Sequence, residues 1–314
     1  MIEFLVENKN TRHYLVFLHI LFDQPLTCYL KMEAVVDARR KVNLFCNAFG
    51  FAAGMLKGSL AGGRTENMNY NNISDSAKIG NNVRFGQFIT VGDNVEIGDN
   101  CIIESYSYIG YSNGLERSGL SIGKNAHIRS HSIIYLGSSI GENLVTGHHS
   151  IIRENCLVGD GFQLGSGSIL MGELVIGNYV KTGSKVEIGQ FSKLGNYIWI
   201  FINSSLLTDK HPPSMDIIGP TINDFTIVGA HCVVFPGVTV GKDCLLGSGC
   251  FLTKDLGDLT IAVGNPFREL GSVKKIKLED GITSAYPWRY RYQNGYPIEI
   301  ASSWLAEVKK IEDT

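Results

Sequence analysis

The sequence predicts an all-β solenoid, a parallel β-helix of about nine triangular coils. Three observations predict it. An aliphatic residue recurs at every sixth position through most of the chain after Ile73. Glycine follows that key residue in 17 of 28 such hexads. Glycine is also abundant, 36 of 314 residues, while proline numbers only 8. A helix needs apolar residues every 3.6 positions and a simple strand every second, so a period of six fits neither. It fits short flat strands joined by turns, with glycine where the backbone bends and packs closely.

The repeat runs in three phases. The first is Ile73, Ile79, Phe85, Val91, Ile97, Ile103 and Ile109. The second runs unbroken from Ile122 through Ile128, Ile134, Ile140, Thr146, Ile152 and Val158 to Leu206, and the third from Ile222 to Leu252. Only Phe85, Thr146 and Thr182 at the key position are not aliphatic. Three hexads make one coil of 18 residues, and coils stack about 4.8 Å apart as strands do in any sheet. Cys101, Cys156, Cys232, Cys244 and Cys250 each lie four residues after a key aliphatic, a slot otherwise held by residues such as Ala77, Ser132 and Val186. They are expected to be small inward core fillers, not metal ligands or disulfide partners.

Insertions near 111–121 (YSNGLERSG) and 207–219 (LTDKHPPSMDIIG) break the phase. Loops on a solenoid often line a binding face. Three regions follow: a non-repeating 1–70, expected to contain helix; the β-helix over 71–256; and a tail over 257–314. In the tail, Ile300, Trp304 and Val308 recur at helical spacing. That predicts an amphipathic helix, expected to cap the open end of the solenoid.

The net charge of -2 suggests neither nucleic acid nor an acidic membrane surface as a partner. The start MIEFLVENKN lacks a basic signal-peptide opening, and YLVFLHILF is nine residues where a membrane helix needs about twenty. A cytoplasmic protein with a buried helix or strand there is the expectation. Residues 1–70 carry no GxGxxG fingerprint.

The stretch LVTGHHSIIREN, Leu144–Asn155, places two imidazoles inside the regular repeat. His131 and His149 are 18 apart, so they should stack on adjacent coils. His148 sits at the same corner, and all three should point outward. Corner positions are polar in many solenoids, and that structural reading stands beside any chemical one.

The phrase TGHHSIIRE, with IRSHSIIY before it and TDKHPP, VFPGVTVGKD, TKDL and GNPFR after it, resembles the bacterial sugar acetyltransferases of the hexapeptide-repeat, left-handed parallel β-helix family. The resemblance spans most of residues 73–270, and the left hand of the helix comes from it. It implies an acyl-CoA-dependent transferase, in first place acetyl-CoA N-acetylation of a nucleotide-linked amino sugar for surface polysaccharide. His148 is then the base, and Arg129, His131, His149, Arg153, Glu154 and His211 are substrate-binding candidates. In the family the pantetheine arm lies between two β-helices of a homotrimer. Gly229, Ala230, Gly247, Ser248, Lys254 and Arg268 are therefore CoA candidates, and no metal is expected. Two departures stand out: His149, where the family phrase more often has Asn, and an N-terminal region unlike the nucleotide-binding domain of some members. An O-acetyltransferase acting on a sugar or small hydroxylated compound, and a non-catalytic scaffold, remain alternatives. A zinc lyase of the γ-carbonic anhydrase type is disfavoured, because its H-x4-H phrase is absent; His127 and His131 are four apart.

Overall fold

Each hexad forms a two-residue strand and a turn, and three hexads close one coil. The computed structural model describes residues 2–6, 14–23, 27–32 and 70–312. Within 70–312 the strands stack into three parallel faces. Face one runs from Asn72–Ile73 to Phe251–Leu252 with ten strands. Face two runs from Lys78–Ile79 to Thr239–Val240 with nine. Face three starts at Arg84–Phe85 and has eleven, the last being Arg268–Ser272, which turns back antiparallel on Thr260–Val263. The ladders thus run longer than the nine coils expected. They continue past Leu252 without the hexad spacing: Leu256 bridges Val240, and Ile261 pairs with Leu245.

The 18-residue register holds where the hexads are uninterrupted, Ile133 pairing with Ile151 and Ile151 with Ile169. Across the insertions the partner lies further off: Ile109 pairs with Ile134 and Leu206 with Val234. Key aliphatics such as Ile128, Ile152 and Val234 are wholly buried. The five cysteines point inward and are buried and free. Burial pushes the Cys156 thiol up to about 12 and those of Cys244 and Cys250 to about 11, so none offers a thiolate at neutral pH. The inward column is not confined to small residues, however. Leu144, Phe162 and Ile198 occupy it too, fully buried, so packing decides the size at each rung.

Twenty non-glycine residues at the corners take φ between 54° and 63°. Such a conformation costs roughly 1–2 kcal/mol for an L-residue. It persists here because neighbouring rungs hold the corner backbone. At the edge between faces two and three, the amide of Glu142 donates to Asp160, that of Asp160 to Asn178 and that of Asn178 to Asn196, each at 2.8 Å. This is the asparagine edge. The histidine edge lies between faces three and one, and the loop edge between faces one and two.

Both insertions leave the loop edge. In the first, the Arg117 amide donates to Asn155 and its guanidinium pairs with Glu173 at 3.0 Å. In the second, the Asp209 carboxylate accepts from the hydroxyl and amide of Ser214 and from the amide of His211. Those bonds, the Ser214 hydroxyl foremost, hold Asp209 below the usual carboxylate range.

The C-terminal helix, α1, spans Ile298–Glu312, but it does not close the open end. Trp304 packs edge-on against Tyr197 and Phe225, and with Trp288 and Tyr296 it forms a second apolar cluster on the asparagine edge and face three. Tyr197 and Phe225 are left-handed corner residues whose rings stack outside the prism, 5.0 Å apart. That ring column, not the end of the core, is the apolar surface the helix covers. Indole donors find partners there: Trp199 Nε1 donates to Tyr296 Oη and Trp288 Nε1 to the Phe225 carbonyl. Near the final rungs, Phe267 packs on the main core instead.

The chain divides into two compact units, Met1–Met68 and Asn69–Thr314. In the first, Ile2–Val6, Tyr14–Asp23 and Thr27–Met32 form an antiparallel sheet. YLVFLHILF is therefore a strand, the second of the two forms expected for it. The helix expected within 1–70 lies outside the described residues. Among the described residues, no helix is long and apolar enough to cross a membrane.

Candidate active site

Titratable side chains converge on the histidine edge at its third to fifth rungs. His131 and His149 occupy left-handed corner positions on adjacent coils, and their rings stack at 4.6 Å. Beside them His148 projects outward with half its side chain exposed. Its Nδ1 lies 2.8 Å from Ser130 Oγ, one rung back, and its amide donates to Ser166 Oγ, one rung on.

Glu104 organises the cluster. Its Oε1 meets His127 Nε2 at 2.8 Å and Arg129 at 3.5 Å, while Oε2 accepts the Ser130 amide at 3.2 Å and lies 4.0 Å from His148 Nδ1. Partial burial pushes the Glu104 carboxyl up. The His127 hydrogen bond, the Ser130 amide and the Arg129 charge outweigh that and hold it below the ordinary value. The folded-state value being lowered, the cluster's contribution to stability is present above the ordinary carboxylate range and is lost as pH falls through it. Thermal unfolding of wild type and Glu104→Gln should differ at about pH 7 and converge near about pH 3.5. An unchanged gap at both would show that the carboxylate charge is not what stabilises the cluster.

Arg129 joins this group. Arg153 and Glu154 do not: they lie at the far end of the strand Ile151–Ile152, on the loop edge, and grip each other through two hydrogen bonds of 3.1 and 2.8 Å. His211 is exposed on the second insertion, also off the loop edge. Gly229, Ala230, Gly247 and Ser248 fall on the histidine edge, in line with Gly147 and His148. Backbone bonds step along this column from Gly167 to His148, Lys185 to Ser166, Asn203 to Ser184, His231 to Ile202 and Gly249 to Ala230. At about 4.8 Å per rung, Ala230 lies about 19 Å and Ser248 about 24 Å from His148. Arg268 reaches the same end by pairing with Val263, whereas Lys254 follows Phe251–Leu252 onto the loop edge.

Gly147, Gly165 and Gly183 keep the column flat. A Cβ at Gly147 would meet the Ser166 amide nitrogen at 2.2 Å and one at Gly165 the Gly183 carbonyl at 2.1 Å, so only glycine fits between these rungs. The two concavities of the single chain, of about 320 and about 540 Å³, lie on face two around Glu96 and Ser121. The histidines stand on a convex edge, and a cleft there needs a second wall. Among the described residues no group of three or more metal-ligating side chains gathers.

Glu104, His127 and Ser130 were missing from the sequence-derived site. A usable signal existed: Ile103 pairs with Ile128, so carrying the hexad phase across the first insertion places Glu104 beneath Arg129.

The parallel solenoid with an outward imidazole cluster is the class of architecture that hexapeptide-repeat transferases share. The bacterial transferase hexapeptide (six repeats) model matches residues 76–111. Galactoside O-acetyltransferase of Lactococcus lactis is 31% identical over 108 residues, 28% of this chain and 52% of that protein. Serine acetyltransferase 3 of Arabidopsis thaliana is 30% identical over 103 residues, 31% of this chain and 24% of that protein. The chain therefore spans about half or less of the length of these relatives. An Arabidopsis UDP-N-acetylglucosamine acyltransferase structure shares the fold, with a TM-score of 0.53 at 14% identity, over 78% of this chain and 90% of that one. The chain is a hexapeptide-repeat protein of the transferase family.

Proposed function

We propose that this protein transfers an acyl group, acetyl foremost, from CoA to the amine of a nucleotide-linked amino sugar. The observation carrying this reading is the His148 imidazole, tied at Nδ1 and open at Nε2, in line with the flat glycine column. Glu104 beside Ser130 favours the tautomer in which Nδ1–H donates to Ser130 Oγ. Nε2 is then the free lone pair and faces the acceptor. The acceptor nitrogen attacks the thioester carbonyl and His148 Nε2 takes its proton. The C–S bond breaks, and the thiolate leaves with a proton returned from the imidazolium. The span from His148 to Ser248 suits an extended pantetheine arm, with Arg268 near the phosphate end.

A hydroxyl acceptor is the second reading. It is favoured by the presence of a base, which an alcohol needs more than an amine presented uncharged. Both readings put the cleft between copies, since the edge is convex. We expect a homotrimer by light scattering, and a fully active monomer would remove that part. The deciding assay incubates the protein with acetyl-CoA and dTDP-, UDP- and GDP-linked amino sugars and their hydroxyl counterparts, following thiol release. Release with an amino sugar alone supports N-acylation. Release with no acceptor of either kind defeats both readings.

A further inference from the structure

The histidine edge carries a ladder of exposed rings that stops beside the candidate base. Tyr70, Phe88, Tyr106, His131 and His149 stack in order, with centroids 4.8, 5.1, 5.0 and 4.6 Å apart and planes within 26° of parallel. Four of the five are left-handed corner residues in the same slot of successive coils. The next residue in that slot is Gly167, at φ +65. Its amide donates to the His148 carbonyl, which fixes it one rung above His149. A side chain built there would touch one atom, Lys185 Cγ at 3.8 Å. The outer face of the His149 ring therefore looks into open space one rung deep, flanked by His148 and Ser166, with the Lys185 amine one rung further on.

Glycine is not demanded by the backbone at this slot. Phenylalanine, tyrosine, histidine, lysine and asparagine all adopt the same conformation along this edge. Nor is it demanded by a close neighbour, in contrast to Gly147 and Gly165. What the glycine leaves is a place for one more flat ring. Rungs about 4.8 Å apart match the separation of stacked rings.

We propose that this place receives the heteroaromatic base of a nucleotide-linked acceptor, stacked on His149 over Gly167, with its phosphates toward Lys185. This rests on the acyltransferase reading only for the identity of the acceptor; the binding site itself stands on the ladder. A base has a π-face whatever its identity, and stacking on a protein ring is tolerant of base type. A free sugar or a bare diphosphate offers the charge or the hydroxyls without the ring.

The test is equilibrium binding by calorimetry, without acyl-CoA, using UDP, dTDP and, as ring-free controls, ribose 5-phosphate and diphosphate. UDP and dTDP should bind, the controls at least tenfold more weakly. Gly167→Tyr extends the ladder into the gap. It should leave thermal stability equal or higher and weaken UDP and dTDP about tenfold or more, within the range a stacked base contributes. His149→Phe keeps a ring and should bind within about threefold of wild type, while His149→Ala should lose about tenfold. Gly167→Tyr that folds, shown by an unchanged unfolding transition, and binds UDP and dTDP as wild type does overturns the proposal. So does equal binding of the ring-free controls. If Gly167→Tyr fails to fold, the contrast between His149→Phe and His149→Ala decides alone. Acyl transfer is read separately with a small amine acceptor lacking a base, which Gly167→Tyr should leave intact. Loss of nucleotide binding with that turnover retained separates this inference from the catalytic one.

Discussion

Replacing His148 by alanine or asparagine should lower kcat about 10²–10⁴-fold, the range for loss of a general base. Half of the His148 side chain is in solvent and its packing contacts are few, so circular dichroism of both variants should match wild type. In wild type kcat/KM should fall on the acid side as the base protonates, and in His148→Asn that limb should vanish. A polar corner residue with no chemical role would cost less than about threefold. If turnover and the acid limb both survive, the base is elsewhere. His211 is then the next residue to replace, since its loop could reach the edge of a neighbouring copy. If neither substitution matters, the enzyme works by holding its two substrates together.

Phe162→Ala should destabilise the solenoid by about 3–5 kcal/mol, measured by urea unfolding followed by circular dichroism. Phe162 is the largest fully buried side chain of the core, and it sits in the interior near mid-stack. The flanking rungs are clamped by backbone ladders that pair Gln163 with Val145 and with Lys181, so the walls can move little to fill the space. In a stack where each coil touches only its neighbours, a defect at the centre weakens two interfaces at once. A loss below about 1 kcal/mol would mean that the rungs close over the gap.

The aromatic tail illustrates how legibility divides. Trp304 was readable as the buried stripe of a helix, because helical periodicity is a local property. Its docking place was not readable. It depends on Tyr179, Tyr197 and Phe225 presenting rings outside the prism at one edge, a surface made by three coils together. The same holds for the site. The stack of His131 on His149 follows from an 18-residue ruler, but Glu104 lies beyond an insertion that stretches the ruler to 25 residues. Ser130 and His127 are ordinary residues until that carboxylate is placed between them.

The sequence by itself determined the solenoid, its three phases, its inward cysteines and the outward corner at His148. Each of these follows from a repeat of six acting through strand geometry, and a strand that must bury alternate residues permits one register. Only the tertiary structure decided which candidates share an edge. Arg129, Gly229, Ala230, Gly247 and Ser248 line up with His148, while Arg153, Glu154, His211 and Lys254 stand at another corner of the triangle. The reason is physical: neighbours along a solenoid edge are joined by hydrogen bonds between rungs, and those bonds connect residues whose separation in sequence changes with every inserted loop.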